Sequence, residues 1–270
     1  MRLLYLGDVV GQYGIRILEA KLRDLKKTES IDVCVIQSEN VTNGKGISSS
    51  DFQLLKDLGV DFFMGGNHSF ANPSINVYLD NPNQPILAPG NYDHRSKTVG
   101  VKELDTRYGK ILFVSLLGQI VGKDSGLSTI NPLRFIDEVL NEKKSIDYCA
   151  KIVNIHGDFS SEKIVMGHYL DGRVSAVIGD HWHVPTADAR ILPNKTAYIS
   201  DVGMTGALDS SLGVKYDVIV SRWRDGIKNQ HILENSGDWQ LNGVVIEIDD
   251  NTKLPISIKS LNLSGKTLEK

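Results

Sequence analysis

The first 66 residues constrain the fold most. The run "RLLYL" reads as a strand, and Ile15 to Lys27 reads as a helix, with Ile17, Leu18, Leu22 and Leu25 at near-helical spacing. "DVCVIQ" is a second strand. "SSSDFQLLKDLG" is a helix with serines at its start and Gly59 as its stop, and "VDFFMGG" is a third strand. Two strand–helix–strand units in succession require a parallel sheet at the core. The chain has 270 residues, 41% of them hydrophobic, enough for one large α/β domain with a sizeable core.

The pattern changes further along. "NPNQPILAPGNYDHR" reads as loop, "KTVGVKEL" and "KILFVSLLG" as a hairpin, and "NPLRFIDEVLNEKK" as a helix with Pro132 near its start. "AKIVNIHGDFSSEK" is strand, loop and helix start. "VSAVIGDHWHV", "ADARILP" and "TAYISDVG" are strands. "NGVVIEID" and "LPISIKSLNL" alternate with a period of two and look antiparallel. No repeat, linker or composition break divides the chain. The expectation is one domain over residues 1–270, with parallel strands first and antiparallel strands later.

Composition excludes some partners. The formal net charge is -3, so no overall basic field invites nucleic acid. No apolar run approaches the roughly 20 residues that a membrane helix needs. Cys34 and Cys149 lie in apolar, strand-like runs and read as reduced buried thiols, which points to the cytoplasm.

The polar residues at the strand ends carry the chemistry. Asp8 follows "LLYLG", Glu39 and Asn40 follow "CVIQS", and Asn67 and His68 follow "FFMGG". His156 follows "KIVNI", and His181 and His183 follow "SAVIGD". Ligands bind at the carboxyl ends of strands in open α/β sheets. Taken singly, each residue has an ordinary explanation. Asp8 suits a turn or helix cap, Glu39 and Asn40 suit a polar loop, Asn67 suits a turn, and His156 suits a buried core. Five strands delivering Asp, Glu, Asn and His together outweigh those explanations. If "GDHWHV" is extended, His181 and His183 face one way and Trp182 the other. His94, His168 and His231 fall outside the pattern.

Two phosphate-loop readings fail. Gly7, Gly11 and Gly14 are spaced G-x-x-x-G-x-x-G, not G-x-G-x-x-G, and Asp8 puts a negative charge where a pyrophosphate would sit. "SGKT" near the end lacks the first glycine and the strand–helix context. Gly7 instead reads as the turn that lets Asp8 face a ligand, with Gly11 and Gly14 shaping the exit into the helix.

Carboxylates, amide oxygens and imidazoles suit manganese, iron or zinc. Six or more of them are too many for one tetrahedral zinc and fit two ions with a bridging carboxylate. Such a pair lowers the pKa of a bridging water and clamps a phosphoryl group for in-line attack.

The ordered segments "GDVVG", "SEN", "GGNHSF", "NIHGD" and "GDHWHV" resemble the motifs of the calcineurin-like metallophosphoesterases, and most closely the YmdB-like branch. "SEK", "DGRVSAVIGDHWHVPTADARILP", "AYISDVGMTG" and "GVVIEIDD" extend the resemblance over essentially the whole chain. It implies an α/β fold, a four-layer αββα sandwich with mixed sheets, and a two-metal hydrolase. By that resemblance Asp8, Asn40 and His183 hold the first ion, Glu39 bridges, and Asn67, His156 and His181 hold the second. His68 is the proton donor or transition-state stabiliser. The superfamily's usual Asp-x-His is broken by Val10, a departure typical of this branch, whose metals are often iron. Asp158 stands where the branch often has another acidic residue.

The expected activity is hydrolysis of phosphodiesters, cyclic nucleotides among them, with phosphomonoester hydrolysis or a regulatory metal-binding role as alternatives. The expected partner is a small phosphate ester, with no membrane and no stable nucleic-acid binding. Whether the chain forms a homo-oligomer stays open.

Overall fold

The chain is described by a computed structural model covering residues 1–94, 96–122 and 125–268. Its first half reads β1 (Arg2–Leu6), β2 (Asp8–Val9), α1 (Gly11–Thr28), β3 (Val33–Gln37), α2 (Ser49–Asp57), β4 (Phe62–Met64) and α3 (Asn76–Leu79). Next come β5 (Val101–Thr106), β6 (Gly109–Leu117), α4 (Pro132–Glu142), β7 (Tyr148–His156), α5 (Ser160–Tyr169) and β8 (Ala176–Asp180). β9 (Arg190–Ile191), β10 (Ala197–Ile199), β11 (Met204–Ala207), α6 (Tyr216–Asp225), β12 (Trp239–Ile248) and β13 (Pro255–Gly265) complete it.

Two sheets stack. One runs β2-β11-β12-β1-β3-β4, with β13 also on β12; the other runs β5-β6-β7-β8-β10-β9. β1, β3 and β4 are parallel, as two successive strand–helix–strand units require. The expectation of antiparallel strands later is only half right. β11, β12 and β13 pair antiparallel, but β6, β7, β8 and β10 are parallel. The physical reason is that α4 and α5 carry the chain back across the sheet between β6, β7 and β8, and that β9 and its flanking loops return it from β8 to β10.

Side-chain alternation builds three apolar layers. In β1, Leu4 and Leu6 join Ile17, Leu18 and Leu22 of α1 in a core on the outer face. Leu3 and Tyr5 point the other way, into a core between the sheets with Val35, Phe62, Phe113, Ile152 and Ile178. A third core packs Val153, Ile155 and Val177 under Phe135 and Ile136 of α4 and Met166 of α5. These layers give the order helix, sheet, sheet, helix. Phe62 and Phe113 stack across the sheets with ring centres 3.9 Å apart.

Several element ends differ from expectation. α1 begins at Gly11 rather than Ile15, because Gly14 does not break the helix. A Cβ at Gly14 would lie 2.9 Å from the Thr205 carbonyl oxygen, so glycine lets α1 seat on β11. Gly7 also has a different role: a Cβ there would lie 2.0 Å from the Gly203 carbonyl oxygen, so it serves close strand approach, not a turn. Residues 97–100 form a short 3-10 turn capped by Ser96 before β5. "SGKT" places Gly265 at the end of β13, paired with Trp239, which excludes a phosphate loop. Among the described residues, no helix is long and apolar enough to cross a membrane.

Candidate metal centre

The eight strand-end residues come from both sheets. Asp8 lies in β2, Glu39 and Asn40 follow β3, and Asn67 and His68 follow β4; His156 ends β7, and His181 and His183 follow β8. Asp8, Glu39, Asn40 and His156 are buried. The edges of two stacked sheets thus supply one cluster.

The cluster holds two rings of acceptors that share one oxygen. In the first ring the Asn40 amide nitrogen lies 3.0 Å from Asp8 Oδ1, 3.1 Å from Glu39 Oε1 and 3.3 Å from His183 Nε2. A half-turn of that amide would bring its oxygen into the same place as a ligand. In the second ring His156 Nε2 lies 2.9 Å from Asn67 Oδ1, 3.0 Å from His181 Nδ1 and 3.3 Å from Glu39 Oε1. Glu39, His156 and His181 offer ligand atoms all within 4.8 Å of one another.

The outward nitrogen of each of three histidines faces an oxygen. His156 Nδ1 is 2.7 Å from Asp180 Oδ1, His181 Nε2 is 3.3 Å from Asp158 Oδ1, and His183 Nδ1 is 3.2 Å from the Leu212 carbonyl. Oxygens of this kind fix the tautomer and aim the other nitrogen inward, the arrangement found around metal-bound histidines. Asp158, singled out in the sequence, therefore backs His181.

The electrostatics suit a cation at the cluster. Burial raises the Asp8 pKa well above its ordinary value, with Asp180 and Glu39 adding to the effect against His156. Burial also pushes Glu39 up, but the charge and hydrogen bond of His156, with His68, hold it well below the carboxylate range. Burial works against a charged His156, yet Glu39 and Asp180 outweigh it and raise its pKa well above the ordinary value. His181 falls to about 4 through burial and the neighbouring His156, and His183 falls to about 4 through burial first. Both are neutral at pH 7, as metal ligands must be. The space fits as well: a Cβ at Gly66 would lie 2.3 Å from Glu39 Oε2 and 2.5 Å from His156 Nε2.

His68 stands at the rim, its side chain 24% exposed. Its backbone N–H donates to Glu39 Oε2 at 2.8 Å, and Nδ1 lies 3.2 Å from Asn40 Oδ1.

The segment holding His181 and His183 is not extended. β8 ends at Asp180, and φ is 102° at His181 and 62° at His183. The two rings do not share a face by strand alternation; each turns to a different acceptor ring. Such backbone costs roughly 1–3 kcal/mol per residue and persists only where its surroundings hold it. The other histidines stay outside the cluster: His94 pairs with Asp93, His168 is exposed on α5, and His231 meets Arg222 at 2.5 Å.

The sequence reading missed Asp180. Its Oδ2 accepts hydrogen bonds from Tyr5 Oη at 3.0 Å, Gln37 Nε2 at 2.8 Å and Asn154 Nδ2 at 2.6 Å. The signal was present in the strand period: Ala176, Ile178 and Asp180 share the inner face of β8, as Ile152, Asn154 and His156 share that of β7.

A sequence model described as YmdB-like protein matches residues 4–261. A 2',3'-cyclic-nucleotide 2'-phosphodiesterase of Bacillus subtilis (strain 168) is 34% identical over 264 residues, spanning 97% of this chain and 96% of that protein. A Mycoplasma pneumoniae crystal structure described as a novel phosphatase superposes with a TM-score of 0.90 at 31% identity, over 99% of this chain and 94% of that one. The 5'-nucleotidase precursor of Thermus thermophilus shares the fold, with a TM-score of 0.59 at 10% identity, over 98% of this chain and 54% of that one.

Proposed function

Because this chain belongs to the YmdB-like protein family, we propose that it is a metal-dependent hydrolase of phosphodiesters, cyclic nucleotides among them, acting through two metal ions. The observation that carries the reading is the pair of acceptor rings sharing Glu39 Oε1. Asp8, Asn40 and His183 would hold one ion, Asn67, His156 and His181 would hold the other, and Glu39 would serve both. The set contains oxygen and imidazole nitrogen and no thiolate, which suits iron, with manganese and zinc as the other candidates. A single domain spanning residues 1–270 carries the site. Buried free Cys34 and Cys149 support a reducing compartment, the cytoplasm.

Two bound ions supply charge neutralisation for a phosphoryl group and a water acidic enough to attack at neutral pH. The chain's own contribution is placement. Asp180, Asp158 and the Leu212 carbonyl keep three imidazoles in fixed tautomers. His68 lies beside Asn40 and Glu39 yet reaches solvent, so it is placed to hand a proton to the departing oxygen.

A phosphomonoesterase is the second reading, favoured by the likeness to the structure described as a phosphatase. The test is elemental analysis of the purified protein with hydrolysis of bis(p-nitrophenyl) phosphate and p-nitrophenyl phosphate. Two ions per chain and faster turnover of the diester are expected. Metal-replete protein inactive on both, with Asn67→Ala indistinguishable from it, would refute the reading.

A further inference from the structure

Lys163 and Asp201 form a buried ion pair behind the cluster, with Nζ and Oδ2 3.0 Å apart. Lys163 sits in the first turn of α5, and Asp201 follows β10. Apart from Asp201, the Lys163 ammonium meets the strand-end segment. It donates to the Asp180 carbonyl at 2.6 Å and lies 3.7 Å from the centre of the Trp182 ring. Asp201 Oδ2 accepts the Trp182 backbone N–H at 2.8 Å, and Oδ1 accepts that of Gly203 at 2.9 Å.

These contacts fall on particular peptide groups. The Asp180 carbonyl belongs to the peptide before His181, and the Trp182 N–H to the peptide after it. The rotation of those two planes about the His181 Cα is what φ and ψ of His181 describe. Lys163 grips one plane and Asp201 the other. Between them His181 holds a φ of 102°, which residues with a Cβ rarely adopt. Buried ion pairs are poor sources of stability compared with apolar residues of similar shape, so a geometric role accounts better for this one.

We propose that the Lys163–Asp201 pair is a positioning device that holds His181 in its left-handed backbone conformation, so that Nδ1 faces the Glu39–His156 ring as a metal ligand. The inference rests on the reading of His181 as a ligand. Both residues act through His181 and are positioning residues, not catalytic ones.

The test uses full-length protein stripped by chelator and titrated calorimetrically with Mn²⁺, alongside thermal melting. The paired change Lys163→Met with Asp201→Leu removes both charges together, so no charge is left buried alone, but it takes the acceptor from the Trp182 and Gly203 N–H groups. It is expected to fold with a lowered melting temperature while one of the two sites loses roughly tenfold or more in affinity. Lys163→Met with Asp201→Asn keeps an acceptor for the Trp182 N–H and is expected to recover part of that loss. A folded Leu variant with wild-type affinity at both sites overturns the proposal. If the Leu variant does not fold, the Asn variant decides: it has lost the hold on the Asp180 carbonyl, so wild-type affinity there also overturns it. His181→Ala separates the two layers. If His181→Ala loses one site and the paired variants do not, only the positioning role falls. If His181→Ala keeps both sites at full affinity, the ligand reading falls and takes the proposal with it.

Discussion

His156 and Asp180 stand directly opposite each other on neighbouring parallel strands, and their side chains meet between the two sheets at 2.7 Å. The register of β7 on β8 makes this contact. It faces His156 Nδ1 with a carboxylate and leaves Nε2 to Glu39, Asn67 and His181. The same carboxylate collects Tyr5, Gln37 and Asn154. One buried acid thus ties three strands of the inner core to one face of the candidate cluster.

Replacing Asp180 tests how much the fold depends on that hub. Asp180→Ala leaves a phenol, two amides and an imidazole without their acceptor in a buried space. Removing one partner of a buried charged network costs about 3–5 kcal/mol. Urea unfolding of the metal-free protein should register a loss of that order. A loss below about 1 kcal/mol would mean that water satisfies the orphaned groups and that the hub is dispensable.

Gly66→Ala addresses the site and largely spares the core. Gly66 is not among the residues with positive φ, so the backbone accepts alanine there. The added Cβ would lie 2.3 Å from Glu39 Oε2 and 2.5 Å from His156 Nε2. Both belong to buried, hydrogen-bonded side chains that the methyl would push out of place, at an expected cost to folding of about 1–3 kcal/mol. Once displaced, they no longer complete the second ring. The expected result is a folded protein with one metal ion per chain fewer than wild type by elemental analysis. Unchanged stoichiometry would show that the space in front of Gly66 is not a metal site.

Much of this was legible in the sequence because strand ends are local features. Each of Asp8, Glu39, Asn40, Asn67, His68, His156, His181 and His183 follows an apolar run, and topology alone sends those ends to one edge. Pairing was less legible. Nothing local told that β6, β7, β8 and β10 would run parallel, because the direction is set by where α4, α5 and the segment around β9 cross. Gly7 and Gly14 looked like turn residues, yet their constraints come from Gly203 and Thr205, far away in sequence. The backbone of His181 was hidden for the same reason: its conformation is held by Lys163 and Asp201, which no window around "GDHWHV" contains both of.

Metal affinity should depend on pH in a direction set by the raised groups. Asp8 and His156 both have pKa values raised well above their ordinary ones, through burial at Asp8 and through the charges of Glu39 and Asp180 at His156. A group whose pKa is raised keeps its proton to higher pH, and an incoming ion must displace it. Affinity therefore rises with pH until those protons are gone. His181 and His183, at about 4, hold no proton to displace at pH 6–8 and begin to compete only as the pH falls toward 4. Competition with a chromogenic chelator between pH 6 and pH 8 should show tighter binding at each step upward. A flat profile over that range would contradict a protonated His156 in the metal-free site.

His68 separates holding the metals from moving a proton. It lies next to Asn67 in the chain and donates its backbone N–H to Glu39 Oε2, a bond that survives any side-chain change. Its ring lies beside the cluster, with Nδ1 3.2 Å from Asn40 Oδ1 and 3.5 Å from Glu39 Oε1, but it is not among the groups within hydrogen-bond distance of Asn40 Nδ2 or His156 Nε2. His68→Ala should therefore keep both ions, measured by elemental analysis on protein purified as wild type is. Hydrolysis of a diester with a poor alkoxide leaving group should fall by roughly 10²–10⁴, the usual contribution of a positioned general acid, and that of bis(p-nitrophenyl) phosphate by much less. The difference arises because p-nitrophenolate leaves readily without a proton. A His68→Ala protein with both ions and wild-type turnover of both diesters would remove His68 from the chemistry. Loss of one ion together with activity would instead make it a ligand, and the donor would have to be sought elsewhere at the rim.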